Sequence, residues 1–340
     1  MNLNFKPILI LLASLFVVTL IVPAVVVIPF TDKASGKLAE EEQTKPAETQ
    51  IASGPTVDVA VYRSNIGDIE NVPIEEYVVG VLASEMPADF EMEALKAQSL
   101  AARTYIVRQM LSGQNVSTPE GANVTDTVTH QVYKNKEELK EVWGKDYDWK
   151  IEKISKAVAE TQGQILTYDG TPIDASFFST SNGFTENSED YWPNEIAYLK
   201  SVPSPWDTKS EKFSDQKVIS VADFEKDLGI SLGDSSDIGK VKSRTESNRV
   251  ATVEFGNKEF SGREIREILG LRSTDFNWER KGNQIVISTK GYGHGVGMSQ
   301  YGANGMAEEG KSYKDIVTHY YQGIEIASAD DFMNQLTVKK

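Results

Sequence analysis

One acidic residue breaks an otherwise apolar helical stripe in the stretch VLASEMPADFEMEALKAQSLAARTY, residues 81–105. Ile74, Tyr77, Val78 and Val81 recur at helical spacing, and Glu85 follows at i+11, within about 20° of Ile74 at 100° per residue. Its carboxyl is therefore expected on the packed side of the helix, where apolar surroundings raise a carboxyl pKa and let it carry a proton near neutral pH. That is the requirement for a general acid. The same spacing also fits a helix-end glutamate turned to solvent, or one paired with a core arginine. Lys96 and Arg103 are seven residues apart and share a face of the next helix. They are either two positive charges along a groove beside Glu85 or a solvated cationic face.

Other candidates cluster downstream. Tyr191, Trp192, Tyr198 and Trp206 crowd the irregular, Pro-containing loop EDYWPNEIAYLKSVPSPWD, where aromatic faces either stack on sugar rings or plug the edge of a core. GYGHGVGMSQYGANG, residues 291–305, places six glycines around His294, a density that implies close backbone approach or sharp bends. It is not a dinucleotide loop, because Val296 stands where G-x-G-x-x-G requires the third glycine. GMAEEGKS, residues 305–312, matches the Walker A pattern but carries two glutamates that would repel phosphate. No apolar strand leads into it, and Ser312 with Asp315 reads as a cap opening the helix YKDIVTHYY. STSNG at 179–183 lacks the G-x-S-x-G elbow of a serine hydrolase. Three histidines, His130, His294 and His319, suffice in number for zinc, but nothing in their spacing supports a site.

The elements that must position these residues follow from pattern and composition. The 340 residues carry a net charge of −15, with pI near 4.8, and no dense basic cluster, which argues against a nucleic-acid groove. The absence of cysteine removes disulfides, thiolate metal sites and cysteine nucleophiles. Pro7 to Phe30 is uncharged and long enough to span a bilayer, and no small-x-small cleavage site is evident, so residues 1–30 are expected to be an uncleaved anchor. Six residues before the span favour a single pass with the bulk of the chain outside the cytoplasm. Residues 31–55 read as a flexible acidic linker, 56–325 as the folded domain and 326–340 as a tail.

VDVAVYRS alternates as a strand, and a helix is expected after it, with Asn71 as N-cap and Pro73 in the first turn. A second helix runs from about Asp89 to Leu111, separated from the first by Pro87. KEELKEVWGKDYDWKIEKISKAVAETQG is mostly helical, and the strands of QILTYDGTPIDASFFSTSNGFTE turn at Asp169-Gly170. The remainder mixes the helices VADFEKDLG and GREIREILG with a hairpin, RVATVEFGNKEFSG, and a strand, QIVISTK. The fold class is α+β, with a smaller lobe inserted around 208–288.

Taken in order, ASEMP, EALKAQSLAARTY, FFSTSNGFTENSEDYW, YLKSVPSPWD and GYGHGVGMSQYGA give residues 56–325 a pattern that resembles the stage II sporulation protein D family of endospore-forming bacteria. The resemblance implies a peptidoglycan lytic transglycosylase that cuts between N-acetylmuramic acid and N-acetylglucosamine and leaves a 1,6-anhydro sugar. It makes Glu85 the catalytic residue and needs no second carboxylate, because the sugar's 6-hydroxyl is the nucleophile. Lys96, Arg103, Tyr198 and Lys200 match polar positions of the family's glycan groove, and His294 and Ser299 are expected beside Glu85. No cofactor is implied. Some relatives carry a His/Cys zinc site near VTHQVY, which a chain without cysteine cannot build in the same way. Asn182 replaces the second residue of a frequent Gly-Gly pair, a position expected to need positive φ. The implied setting is the mother cell membrane during engulfment of the forespore. The implied partners are stage II sporulation protein M and the amidase stage II sporulation protein P. A different role, as a non-catalytic wall-binding activator of an amidase or as an engulfment scaffold, fits the same resemblance.

Overall fold

The first element is the strand β1 (Asp58–Arg63), whose alternate residues Val59, Val61 and Arg63 are buried. A computed structural model of the chain describes residues 57–113, 118–233 and 238–338, all within one compact unit, 48–340. β1 turns back antiparallel into β2 (Asp68–Pro73), so Asn71 lies opposite Ala60 in a hairpin instead of capping a helix. The helix α1 (Ile74–Glu85) starts directly after Pro73 with no side-chain cap. It stops at Glu85 because Pro87 disfavours helical backbone at the residue before it, and Met86 is extended (φ −127°, ψ 135°).

α2 (Met92–Ser112) is the central helix, with twelve buried residues. After the short strand β3 (Val124–Thr125), which pairs parallel to β1, come α3 (Lys136–Trp143) and α4 (Tyr147–Glu160). β4 (Gln164–Tyr168) turns at Asp169 and Gly170, both at positive φ, into β5 (Thr171–Pro172). Next follow β6 (Phe177–Phe178) and the single turn α5 (Ser188–Tyr191).

A second hydrophobic core, centred on Phe224, Phe276, Ile285 and Ile287, belongs to residues 221–287. It lies between β7 (Ser214–Ser220), α6 (Val221–Leu228), β8 (Lys240–Arg244), β9 (Val250–Phe255), β10 (Lys258–Ser261), α7 (Gly262–Ile268), β11 (Asp275–Lys281) and β12 (Gln284–Lys290). Its two sheets have strand orders β10-β9-β8 and β11-β12-β7, all antiparallel. The chain then returns to the first core through β13 (Met298–Ser299), parallel to β6, followed by α8 (Gln300–Glu308) and α9 (Tyr313–Tyr320). Ser312 and Asp315 form a capping box at the start of α9, so the end of the Walker-like match opens a helix.

Residues 326–338, expected as part of a tail, form regular structure. β14 (Glu325–Ser328) pairs with β4, and α10 (Asp330–Val338) buries Met333 in the first core. The architecture is α+β. The expected anchor and linker fall outside the described residues, and among those described no helix is long and apolar enough to cross a membrane.

The two cores meet through buried polar contacts. Arg249 of the second lobe is almost fully buried, donates to the Phe184 carbonyl at 3.0 Å and lies 3.9 Å from Glu186. A Cβ on Gly295, whose φ is 92°, would come within 2.7 Å of that guanidinium, so the backbone passes where only glycine fits. Asn182 adds bonds from its amide to the Ser247 carbonyl (2.8 Å) and Asp275 (2.9 Å). It is absent from the residues at positive φ, and the turn's positive φ falls on Gly183 instead. The asparagine is a docking contact.

Candidate functional site

Glu85 ends α1 half-buried, at the junction of three segments. The first is the loop 131–134, which presses against α1 where a side chain on Gly80 would meet the Tyr133 ring at 2.4 Å. The missing side chain brings the Val132 N–H to Glu85 Oε1, to which it donates at 3.2 Å. The second is the start of α8, where Gln300 Nε2 donates to the Glu85 carbonyl at 3.1 Å and to Gln98 Oε1 at 3.5 Å. The third is the connection 86–91, held to α8 by the Phe90–Tyr301 edge contact (4.9 Å) and by the Glu91 N–H bonded to Asn304 Oδ1 at 2.7 Å.

Burial pushes the Glu85 pKa up, against the Val132 hydrogen bond and the nearby Lys134 charge, which pull it down. A carboxylate at the negative end of a helix is disfavoured in the same direction as burial. Glu85 forms no ion pair at contact distance among the described residues. Such a carboxyl keeps its proton to a higher pH than an exposed glutamate does and can release it to an oxygen that reaches it.

The loop that supplies the Val132 donor is itself anchored. Tyr133 stacks on Tyr77 with ring centroids 5.4 Å apart, and the Tyr77 hydroxyl donates to Gln131 at 3.2 Å. Arg63 lies over the Tyr133 ring and bonds Asp126 at 3.0 Å, pairing also with Glu70 and Glu138.

The other residues singled out by sequence are spread more widely. Arg103 is 0% exposed and sits in a core ion pair with Glu75, with Nη2–Oε2 at 2.7 Å and Nε–Oε1 at 2.9 Å, and bonds to the carbonyls of Gln164 and Val158. It lines no open surface. Lys96 is half-buried between Glu93 (2.7 Å) and Glu160 (2.5 Å). Tyr198 accepts the Asp174 N–H at its hydroxyl (2.8 Å), and Lys200 pairs with Glu189 (2.7 Å) and Glu195 (2.6 Å). His294 packs among Phe178, Tyr191 and Trp192 at centroid distances of 5.4–5.7 Å. Burial, reinforced by Arg266, pushes its pKa down to about 4, and the neutral ring accepts the Val296 N–H at Nδ1 (3.1 Å).

Ser299 is bonded to a different carboxylate. Its hydroxyl donates to Asp207 Oδ1 at 2.6 Å while accepting the Gly302 N–H that begins α8. Asp207, buried, also accepts from the hydroxyls of Ser181 (2.7 Å) and Ser204 (2.6 Å) and from the Ser181 N–H (3.0 Å). Tyr320 closes the network on Ser204 at 2.7 Å. STSNG, SPWD and GMSQYG thus converge on one buried carboxylate that fixes the start of α8, and with it Gln300 beside Glu85.

Sequence reasoning missed Gln300, Lys134 and the Val132 N–H. Gln300 was legible in principle as the neighbour of Ser299 in the glycine-rich stretch, whereas a backbone donor leaves no signature in residue type. The three histidines keep separate surroundings: His130 at Thr125, His294 in its aromatic cluster and His319 at the Pro203 carbonyl. Among the described residues no group of three or more His, Asp or Glu is placed to hold a metal.

Against known proteins, the chain is 53% identical over 344 aligned positions to stage II sporulation protein D of Bacillus subtilis (strain 168), covering 98% of this chain and 100% of the relative. The chain belongs to the stage II sporulation protein D family. Stage II sporulation protein D of Bacillus amyloliquefaciens is 51% identical with the same coverage. The family model described as stage II sporulation protein matches residues 62–168. That match spans Glu85, Lys96, Arg103 and the 131–134 loop. An amidase enhancer of Bacillus subtilis (strain 168) is 31% identical over 73% of this chain, which spans 40% of that longer protein. Membership places the chain in sporulation.

Proposed function

We propose that the chain is a lytic transglycosylase of peptidoglycan, with Glu85 as its single acid and base. Glu85 protonates the oxygen leaving the N-acetylmuramic acid C1, and that C1–O bond breaks. The 6-hydroxyl of the same sugar attacks C1 and gives its proton to the Glu85 carboxylate, which closes the 1,6-anhydro ring and restores the acid. No water is consumed. The observation that carries this reading is the state of Glu85: half-buried, raised in pKa and held by one backbone N–H. Glu93, the acid next along the chain after Glu91, is engaged by Lys96 and by the Tyr313 N–H at 2.8 Å, which favours a mechanism with one carboxyl. Lys96, Tyr198 and Lys200 would contribute to holding glycan by exchanging present partners for substrate.

In this reading the chain acts outside the cytoplasm from a membrane anchor within residues 1–30, alongside stage II sporulation proteins M and P during engulfment. The similarity to an amidase enhancer supports a second reading, in which the chain binds wall glycan and activates an amidase. The two separate on peptide-free glycan strands incubated with the full chain and no amidase. Anhydro ends, lighter by one water than hydrolysed ends on mass spectrometry, are expected. Intact strands, together with an amidase accelerated by the added chain, would decide for the second reading.

A further inference from the structure

The loop that reaches Glu85 is gripped at both ends by one guanidinium. Arg63, the last residue of β1 and only 2% exposed, bonds Asp126 through Nε at 3.0 Å, Glu138 through Nη2 at 2.5 Å and Glu70 through Nη1. Asp126 opens the loop 126–134. Glu138 belongs to the capping box of α3, where the same Oε2 also takes the Asn135 N–H at 2.9 Å. The guanidinium lies over the Tyr133 ring, 5.0 Å from its centroid, and the Tyr133 N–H donates to the Asp126 carbonyl at 3.4 Å, which closes the loop at its base. Arg63 therefore holds the first residue of the loop, a ring near its end and the helix that follows, while Glu70 fastens it to β2. Between these holds the Val132 N–H donates to Glu85 Oε1 at 3.2 Å.

One carboxylate would balance one buried arginine. Three converge on Arg63, from β2, the loop and α3, and without it their like charges would repel one another across a partly buried junction and spread the ends of the loop. A planar fork with donors on three nitrogens bonds all three carboxylates at once, which the point charge of a lysine cannot do in the same geometry. Burial raises the Glu85 pKa, and both influences that oppose it sit on this loop: the Val132 N–H and the Lys134 charge. Of the other elements around Glu85, α1 brings the Tyr77 hydroxyl and α8 the neutral Gln300, and neither Asp89 nor Glu91 of the 86–91 connection shifts it. Those elements keep Glu85 buried when the loop slackens by a fraction of an ångström, whereas the 3.2 Å bond from Val132 weakens. A slack loop thus leaves Glu85 holding its proton to higher pH.

We propose that Arg63 is a positioning residue for Glu85, clamping the 126–134 loop at the height from which the Val132 N–H reaches the Glu85 carboxyl. It bonds no atom of Glu85 and acts only through the loop. That the proton of Glu85 passes to a glycan oxygen rests on the function proposed above; the clamp itself does not.

The test follows the full chain by carbodiimide coupling of glycinamide to Glu85, a reaction that proceeds through the protonated carboxyl, with the labelled peptide read by mass spectrometry as a function of pH. In Arg63→Lys the pH of half-labelling is expected to move up relative to the unmodified chain. Asp126→Asn keeps the shape of the loop end but weakens its bond to Arg63, and a smaller upward shift is expected. Glu70→Gln weakens a bond of the same guanidinium that lies off the loop, so its half-labelling pH should match that of the unmodified chain. Cleavage of peptide-free glycan should follow the labelling, with its alkaline fall moved to higher pH in the first two variants and KM unchanged. Asp126→Asn decides the matter should Arg63→Lys lower the melting temperature. A half-labelling pH that stays in place or moves down in folded Asp126→Asn, or that Glu70→Gln moves equally, overturns the clamp. Anhydro ends from the unmodified chain with labelling unmoved in the variants would remove the clamp and leave the transglycosylase. Shifted labelling with no anhydro ends would do the reverse.

Discussion

Glu85 and Asp207 are both carboxyls whose pKa is pushed up by burial, yet they are built differently. Asp207 is fully buried and accepts from three serine hydroxyls and a backbone N–H, so its oxygens are saturated and no solvent reaches them. Glu85 is half-exposed and its carboxyl accepts from a single backbone N–H. Glu75, matched by Arg103, is a second saturated case. A buried polar group with all its partners fixes structure, whereas an incompletely coordinated one that solvent can reach is free to exchange a proton. The difference lies in coordination and access more than in pKa.

The largest expected effect on the structural side comes from Arg103→Met. It strands Glu75 in the core, and removing one partner of a buried pair costs about 3–5 kcal/mol. Urea unfolding should show the midpoint falling by a corresponding amount, with activity lost only as the fold is lost. A variant of normal stability that no longer binds glycan would instead make Arg103 a groove residue and undo the contrast.

Asp207→Asn should cost less, about 2 kcal/mol, because charge-assisted hydrogen bonds are replaced by weaker neutral ones while the shape is kept. Its signature is a lower melting temperature together with a modest loss of turnover, since Ser299 and the start of α8 position Gln300 against Glu85. Lost turnover at full stability would show that Asp207 acts more directly than this.

The smallest change is expected from Lys134→Met. A general acid works only when protonated, so cleavage falls as pH rises through the Glu85 pKa. Lys134 lowers that pKa, and its removal should move the fall to higher pH with little effect on the acidic plateau. A pH–rate profile unchanged in position would exclude electrostatic contact between the two.

Much of this was legible in sequence, though unevenly. The apolar stripe of Ile74, Tyr77, Val78 and Val81 located the helix and turned Glu85 inward, Pro87 marked its end, and Ser312 with Asp315 announced α9. Periodicity assigns a face but cannot name the partner across it. Glu75 lies 28 residues from Arg103, and only the packing of α1 on α2 reveals that the arginine is spent on a core pair. Ser299 and His294 fell in the right motif, yet that motif turns one inward to Asp207 and the other into an aromatic cluster. Asn71 read as a cap because turn-forming residues near a proline usually are, but the pairing of β2 with β1 placed it in a strand. Val132 acts through its backbone, which no residue type betrays.

The most direct test combines two readouts on one sample of Glu85→Gln: thermal unfolding, and the ends released from peptide-free glycan. Glutamine keeps the shape and can still accept the Val132 N–H, but it has no acidic proton to transfer. The expected result is a melting temperature close to that of the unmodified chain with no anhydro-N-acetylmuramic acid released. Anhydro ends produced at the parental rate by the folded variant would contradict the central role given to Glu85.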